Sequence, residues 1–182
     1  FMFYKPEMIA NNEFGKMLFA AVFMTGISII SYGQFMFAWQ STHFDGLLVN
    51  KIDFKNFIKA KFLLFTISCT LITVLASFYG LMSYKLLLLH LAAYLYNIGF
   101  ATVIVIFFAT MNYKRLDITK SASFNWQGVG ATQWILGLPL ILIPILLYLP
   151  FGLINKPYWG LASIGTFGLI TLLMRNFWIN LL

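Results

Sequence analysis

The chain has 182 residues, of which 61% are hydrophobic, 19% aromatic and only 9% charged. A compact soluble domain of this length has too much surface to cover with so few charged side chains, so the composition predicts apolar surface that faces lipid. The formal net charge of +7 is typical of membrane proteins with Lys and Arg in their cytoplasmic loops. No basic stripe lies on a soluble element, and we expect no nucleic-acid binding.

Five apolar stretches reach the roughly 20 residues that a helix needs to cross a bilayer. They run approximately over residues 17–37, 62–82, 86–111, 129–149 and 158–178. Backbone polar groups in lipid must be satisfied within their own segment, so each stretch is predicted to be α-helical. The sequence therefore predicts an all-α, multi-pass membrane protein in which residues 1–182 form a single transmembrane domain.

The links between the predicted spans differ in length and charge. The loops 39–61 and 112–128 are long and basic, whereas the links 83–85 and 150–157 are short. The cations on the side of the long loops are Lys51, Lys55, Lys59, Lys61, Lys114, Arg115, Lys120 and Arg175, and those on the other side are Lys5, Lys16, Lys85 and Lys156. The excess predicts that the long loops lie in the cytoplasm. The N-terminus is then outside, which predicts a further span upstream. The sequence starts at Phe1 and stops directly after an apolar run, so we expect the native chain to extend beyond both ends.

The titratable residues argue against ion-coupled transport and intramembrane enzymatic chemistry. All five carboxylates lie outside the predicted spans, and they are Glu7, Glu13, Asp45, Asp53 and Asp117. Proton-coupled carriers commonly use Asp, Glu or His inside the membrane, and His90 is the one candidate, although a lone His near a span end is more often packed or interfacial. The sequence does not exclude sodium sites lined by backbone carbonyl groups. The chain has no His-Glu-x-x-His motif and no phosphate-binding loop, so we expect no metal, no cofactor and no ATP hydrolysis by this chain alone.

Three predicted spans carry polar side chains at helical spacing, which places the members of each stripe on one face. The first stripe contains Thr25, Ser28 and Tyr32, the second Thr66, Thr70, Thr73 and Ser77, and the third His90, Tyr94 and Asn97. Two interpretations are open. The side chains either hydrogen-bond within and between neighbouring helices, or they form a polar wall along a substrate route.

The last two predicted spans contain features that change how a helix runs or packs. Pro139, Pro144 and Pro150 each remove a backbone donor, which predicts a bend or break and a non-helical outer end. The small residues of Gly160-Leu-Ala-Ser-Ile-Gly165 predict a close approach between two helices.

The loop 39–61 contains a predicted short helix. Thr42 and Asp45 match the N-cap and N3 positions of a capping-box variant, which predicts a helix over residues 43–49. The apolar edge of that helix has three members: Phe44, Leu47 and Leu48. Asp53 is positioned to cap the following helix. Such an amphipathic helix either lies on lipid headgroups or docks into a soluble partner, and these residues alone favour neither.

Residues 32–64 form the most distinctive stretch of the chain and read YGQFMFAWQSTHFDGLLVNKIDFKNFIKAKFLL. This stretch resembles the cytoplasmic region of ABC-2-type permeases, and more closely a related bacterial membrane family of unknown function. Asp45-Gly-Leu-Leu48 stands for the acidic-x-Leu-Leu turn of the permeases, Ile52-Asp53 for their Ile-Ser pair, and Lys59-Ala-Lys61 for the basic residues that open the next span.

The resemblance implies a six-span domain in the bacterial cytoplasmic (inner) membrane, of which this chain is a fragment. The helix over residues 43–49 would be a coupling helix that docks into a separate ATP-binding-cassette ATPase. The residues implied in that contact are Thr42, Phe44, Asp45, Leu47, Leu48, Ile52 and Asp53. The protein would then be the permease subunit of an exporter that works as a dimer of permease domains. The alternative is a non-transporting membrane scaffold or regulatory protein whose cytoplasmic loops bind another protein.

Overall fold

The computed structural model describes residues 4–33, Met36, Gly46 and residues 53–111 and 131–181. Every regular element within these ranges is helical, and none of them contains a β-strand. The predicted all-α class is therefore confirmed for the described part of the chain.

Seven helices follow one another in the described ranges. They are α1 (Pro6–Ala10), α2 (Phe14–Gly33), α3 (Phe54–Leu81), α4 (Tyr84–Met111), α5 (Ala131–Leu153), α6 (Pro157–Leu173) and α7 (Arg175–Leu181). α2 ends in a π-helical turn that starts at Ile29, and the last turn of α3, from Ser77, is a 3-10 helix. A second π-helical turn, Asn97–Ala101, lies in the middle of α4.

The five predicted spans overlap α2 to α6 in chain order. Within the described residues, α2, α3 and α4 are long and apolar enough to cross a membrane. A fourth such span exists if α6 and α7, which are bent by 61° relative to each other, are taken together. The apolar part of α5, Gly137–Leu153, is shorter than these. The described structure therefore contains three or four candidate spans, and a total of five stays a prediction.

Local sequence explains where several helices begin. Pro157 occupies the start of α6. Backbone N–H groups in the first turn have no acceptor within the helix, so the missing N–H group of proline costs no hydrogen bond there. The Asp53 side chain accepts a hydrogen bond from the backbone nitrogen of Lys55 at 3.1 Å, and the Ser83 hydroxyl accepts one from the backbone nitrogen of Lys85 at 3.3 Å. Both side chains therefore act as N-caps. The capping role predicted for Asp53 is confirmed.

The helices α2 to α6 pack as an antiparallel bundle with α4 at its centre. α4 contacts α2, α3, α5 and α6, and 61% of its most apolar stretch is buried, compared with 22% for α3. α3 lies at the edge of the bundle and exposes a row of leucines along its length: Leu63, Leu71, Leu75 and Leu81. Because the leucines of α3 face outward, its polar stripe is turned towards α2 and α4, and the three stripes lie close to one another.

α5 differs from the prediction made for its prolines. It is helical without interruption, with Pro139, Pro144 and Pro150 inside it, so neither the predicted break nor the non-helical outer end is found. Pro144 lacks the N–H group that would bind the carbonyl oxygen of Leu140. The hydroxyl of Tyr96 on α4 lies 3.3 Å from that oxygen and 3.3 Å from the carbonyl oxygen of Pro139, so it donates between the two. A neighbouring helix thus replaces the hydrogen bond that the proline removes.

Candidate functional site

A buried polar contact joins α2, α3 and α4 in the middle of the bundle. The amide nitrogen Nδ2 of Asn97 donates to Oγ1 of Thr25 at 2.8 Å and to the carbonyl oxygen of Val22 at 2.9 Å. The thiol of Cys69 donates to the carbonyl oxygen of Thr25 at 2.9 Å. Asn97 and Thr25 are fully buried. The contact brings together members of the first and third predicted stripes, and Cys69 is a participant that the sequence analysis missed.

The π-helical turn of α4 starts at Asn97 and shapes this contact. The hydroxyl of Thr102 donates to the backbone carbonyl oxygen of Asn97 at 2.9 Å and so supports the widened turn. A Cβ atom added at Gly26 would lie 2.7–2.8 Å from the Asn97 side chain, so glycine leaves the room that the amide occupies. Oδ1 of Asn97 and Oγ of Ser28 are buried and have no hydrogen-bond partner among the described residues.

The stripe of α3 bonds mainly to its own helix. The hydroxyls of Thr66, Thr70 and Ser77 donate to backbone carbonyl oxygens within α3, at 2.9, 2.7 and 2.6 Å. Thr70 also lies 2.9 Å from the hydroxyl of Tyr94 on α4. Thr73 neighbours Cys69 without forming a hydrogen bond of good geometry. These contacts are of the kind that helix packing requires, and a substrate route along the stripes stays a prediction.

Tyr32, the last member of the α2 stripe, contacts a buried cation. Nζ of Lys61 donates to the Tyr32 hydroxyl at 2.7 Å and lies 5.1 and 5.3 Å from the ring centroids of Tyr32 and Phe57. Lys61 is only 8% exposed. Contact with two aromatic faces offsets part of the desolvation cost of the ammonium group. The sequence indicated Lys61 as a basic residue at the start of a span, and it gave no sign that the side chain is buried.

His90 is packed inside the bundle. It is 1% exposed, and its Nε2 lies 2.8 Å from the hydroxyl of Tyr4, which is also 1% exposed. Tyr79 packs edge-on against both rings, with centroid distances of 5.3 Å to Tyr4 and 5.8 Å to His90. Burial raises the pKa of the Tyr4 phenol, and the neighbouring Tyr79 raises it further. The Tyr4 side chain is therefore a neutral partner for His90.

Most of the predicted partner-binding residues lie outside the described residues. Of the predicted coupling helix over residues 43–49, only Gly46 is among the described residues. Thr42, Phe44, Asp45, Leu47, Leu48 and Ile52 lie outside them, and Asp53 is described as the N-cap of α3. Within the described ranges, no group of three or more His, Cys, Asp or Glu side chains is arranged to hold a metal ion.

A comparison with protein-family models gives a match that covers the full sequence. Residues 1–182 match the Family of unknown function (DUF5687). The chain belongs to the DUF5687 family. No curated protein and no solved structure matches it. Membership agrees with the unknown-function relative that residues 32–64 resemble, and it carries no assignment to the ABC-2-type permeases.

The described interior of this DUF5687 protein offers mainly uncharged hydrogen-bonding groups, with Lys61 as a buried cation at one end. Between α2, α3 and α4 it contains an amide, hydroxyls, a thiol and one imidazole, and no carboxylate of the described residues lies among them. Groups of this kind hold helices in register and recognise neutral polar atoms. The residues that sequence reasoning missed, Tyr4 and Cys69, carried no local signal because their partners are distant in the chain.

Proposed function

We propose that the chain is a multi-pass membrane protein, and α3 is the observation that carries this proposal. The helix has 28 residues, which corresponds to about 42 Å, longer than the roughly 30 Å hydrocarbon core of a bilayer. Its outward leucines are strongly exposed, up to 88% at Leu81. An apolar surface of this extent is rare on a monomer in water and suits a lipid environment.

We propose that the end of the bundle that carries the two long loops faces the cytoplasm. The Lys61–Tyr32 contact puts the end of α2 beside the start of α3. Nζ of Lys55 donates to Oδ1 of Asn180 at 3.2 Å, so α7 is at the same end. The described cations at this end are Lys55, Lys59, Lys61 and Arg175. The excess of Lys and Arg in the loops that leave this end supports a cytoplasmic location.

Thiol labelling in intact cells tests this orientation. In a Cys69→Ala background, we expect Asn50→Cys and Ser121→Cys to resist a membrane-impermeant maleimide until the cells are lysed. Lys156→Cys, at the opposite end of the bundle, is the matched control and should be labelled without lysis. Labelling of either loop from outside would reverse the orientation and remove the cytoplasmic location on which docking of an ATPase depends.

We further propose that the protein is the permease subunit of an ABC-2-type transporter, an exporter that works as a dimer with a separate ATPase. The proposal is supported by the resemblance of residues 32–64 and by the absence of a phosphate-binding loop from the sequence. The loop is joined to α2 at one end and to α3 at the Asp53 cap at the other. A partner that moves the loop would therefore move two helices of the bundle directly.

Substitution of the loop leucines tests the docking of the ATPase. A fully buried leucine contributes about 1.5–3 kcal/mol, and about 1.4 kcal/mol corresponds to a factor of ten in affinity. We therefore expect Leu47→Ser with Leu48→Ser to weaken association with the ATPase at least tenfold in detergent. The control is Leu153→Ser with Ile154→Ser, two exposed apolar residues at the opposite end, which should leave association unchanged. Undiminished binding by the loop variant would remove the main support for a permease.

A scaffold or regulatory protein is the second candidate. It is favoured by the polar contacts between α2, α3 and α4, because Thr25 and Asn97 bond to each other and hold the helices together. The same contacts are compatible with a permease whose substrate route lies between two copies of the chain. Affinity purification of the chain distinguishes the two functions, since the permease brings down an ATP-binding-cassette ATPase and the scaffold brings down a different cytoplasmic protein.

A further inference from the structure

Residues 4–13 form a strap across the end of the bundle where α3 meets α4. The strap contains α1, and Nζ of Lys85 donates to the carbonyl oxygens of Ile9 and Ala10 at 3.0 and 3.2 Å at the end of that short helix. The hydroxyl of Tyr158 donates to Oδ1 of Asn12 at 3.2 Å. The side chain of Ile9 is buried, whereas Lys5, Pro6, Glu7, Ala10 and Asn11 are exposed. A segment with few buried side chains opens at lower free energy than the helices beneath it.

Tyr4 is the part of the strap that enters the bundle. Its ring fills a pocket formed by α2, α3 and α4, and its hydroxyl lies 2.8 Å from Nε2 of His90 and 3.7 Å from the sulfur of Met24. Tyr79 packs against the ring edge-on, with centroids 5.3 Å apart. The pocket thus provides aromatic and thioether contacts for a ring and one hydrogen-bonding nitrogen for a hydroxyl. These are the features that recognise a neutral phenol.

An apolar groove continues from this pocket. It lies between α2 and α3 and has a volume of about 430 Å³. Met24 and Tyr79, which contact Tyr4, belong to its wall, as does Ala76, whose backbone neighbours the His90 ring. The rest of the wall is apolar, with Phe19, Phe23, Ile27, Ile72 and Leu75. The pocket and groove together have a polar end at His90 and an otherwise apolar wall. This arrangement matches an amphiphile that has a small neutral head and an apolar tail.

We propose that this space is a binding site for an apolar amphiphile with a phenol or hydroxyl head, and that the strap occupies the site as an autoinhibitory segment. The ligand head replaces the Tyr4 hydroxyl at His90, and the ligand body lies in the groove. Because Tyr4 belongs to the same chain as the pocket, it competes with a free ligand at a high effective concentration. The apparent affinity for a ligand therefore rises in proportion to the fraction of molecules in which the strap is lifted.

Binding of 4-octylphenol to the full chain in detergent tests the proposal. Lys85→Ala with Tyr158→Phe removes three hydrogen bonds that hold the outer part of the strap and leaves the pocket residues in place. We expect this variant to bind 4-octylphenol at least tenfold more tightly than the unmodified chain does, a factor that corresponds to about 1.4 kcal/mol. Addition of His90→Phe should cancel the gain. Octylbenzene, which has no hydroxyl, should bind about tenfold more weakly than 4-octylphenol.

Equal affinity of the unmodified and strap-released chains for 4-octylphenol would overturn the proposal, and so would a gain that survives His90→Phe. A second variant covers the case in which the released chain does not fold. Tyr4→Gly leaves a cavity with the shape of the lost side chain, and we expect p-cresol to raise its melting temperature by several degrees while toluene does not. No difference between the two compounds would equally refute recognition of the hydroxyl. Both experiments use the chain alone, so their outcome is independent of whether an ATPase binds.

Discussion

Replacement of Gly168 by alanine is expected to lower the free energy of unfolding by about 3 kcal/mol. A Cβ atom at this position would collide with the carbonyl oxygen of Leu95 and lie 2.5 Å from the backbone nitrogen of Tyr96. Backbone atoms of a helix cannot rotate away as a side chain can, so α4 and α6 would have to separate. The contact is reciprocal, since a Cβ atom at Gly99 would collide with the carbonyl oxygen of Gly168. Unfolding by SDS titration of the purified chain measures the loss.

Gly165→Ala is the matched control, because Gly165 is on the same helix and faces the same neighbour. A Cβ atom there would lie 3.4 Å from Cδ1 of Leu95 and 3.7 Å from Cα of Ala92, which are ordinary packing distances. Alanine is also favoured over glycine in a helix by up to about 1 kcal/mol. We expect Gly165→Ala to be neutral or stabilising. Equal losses for the two variants would show that the backbone contact between α4 and α6 does not limit stability.

Removal of the Tyr96 hydroxyl is the second substitution with a large expected effect. In Tyr96→Phe, the carbonyl oxygen of Leu140 loses its donor, because Pro144 has no N–H group to offer. An unsatisfied buried carbonyl costs about 1–3 kcal/mol, so we expect a loss of that size in SDS unfolding. In a Pro144→Ala background, the helix regains its own donor and the same substitution should have little effect.

A double-mutant cycle between Tyr96 and Pro144 therefore isolates this hydrogen bond, and we expect a coupling energy of about 1 kcal/mol or more. Tyr94→Phe is the control. Its hydroxyl pairs with Thr70, which keeps a hydrogen bond to the carbonyl oxygen of Thr66. The effect of Tyr94→Phe should not depend on Pro144. Identical losses for Tyr96→Phe with and without Pro144 would mean that the hydroxyl does not compensate for the proline.

Sequence patterns located the helices because the relevant forces act over short stretches. A run of about 20 apolar residues is a local property, and the five runs overlap α2 to α6 in chain order. The Asp53 cap also follows from neighbouring residues, since its partner is the backbone nitrogen of Lys55. The spacing of Thr25, Thr70 and Asn97 along their helices indicated which faces are polar. It left open whether those faces meet each other or line a route.

Other features depend on partners that are far away in the chain. His90 is paired with Tyr4, which precedes it by 86 residues, so its partner is not visible in a local pattern. The prolines of α5 predicted a break because the sequence around Pro144 does not show the hydroxyl of Tyr96 that compensates for the missing donor.

The sequence by itself therefore determined the helical class, the order of α2 to α6, the Asp53 cap and the polar faces of α2, α3 and α4, because each of these depends on residues within a few turns of one another. Only the tertiary structure decided which of the described glycines lie at a close backbone contact, since Gly99 and Gly168 are distinguished from Gly165 by where α4 and α6 cross. It also decided that the strap buries Tyr4 against His90. Crossing points and long-range pairs arise from the packing of whole helices, and no short window of sequence contains both partners.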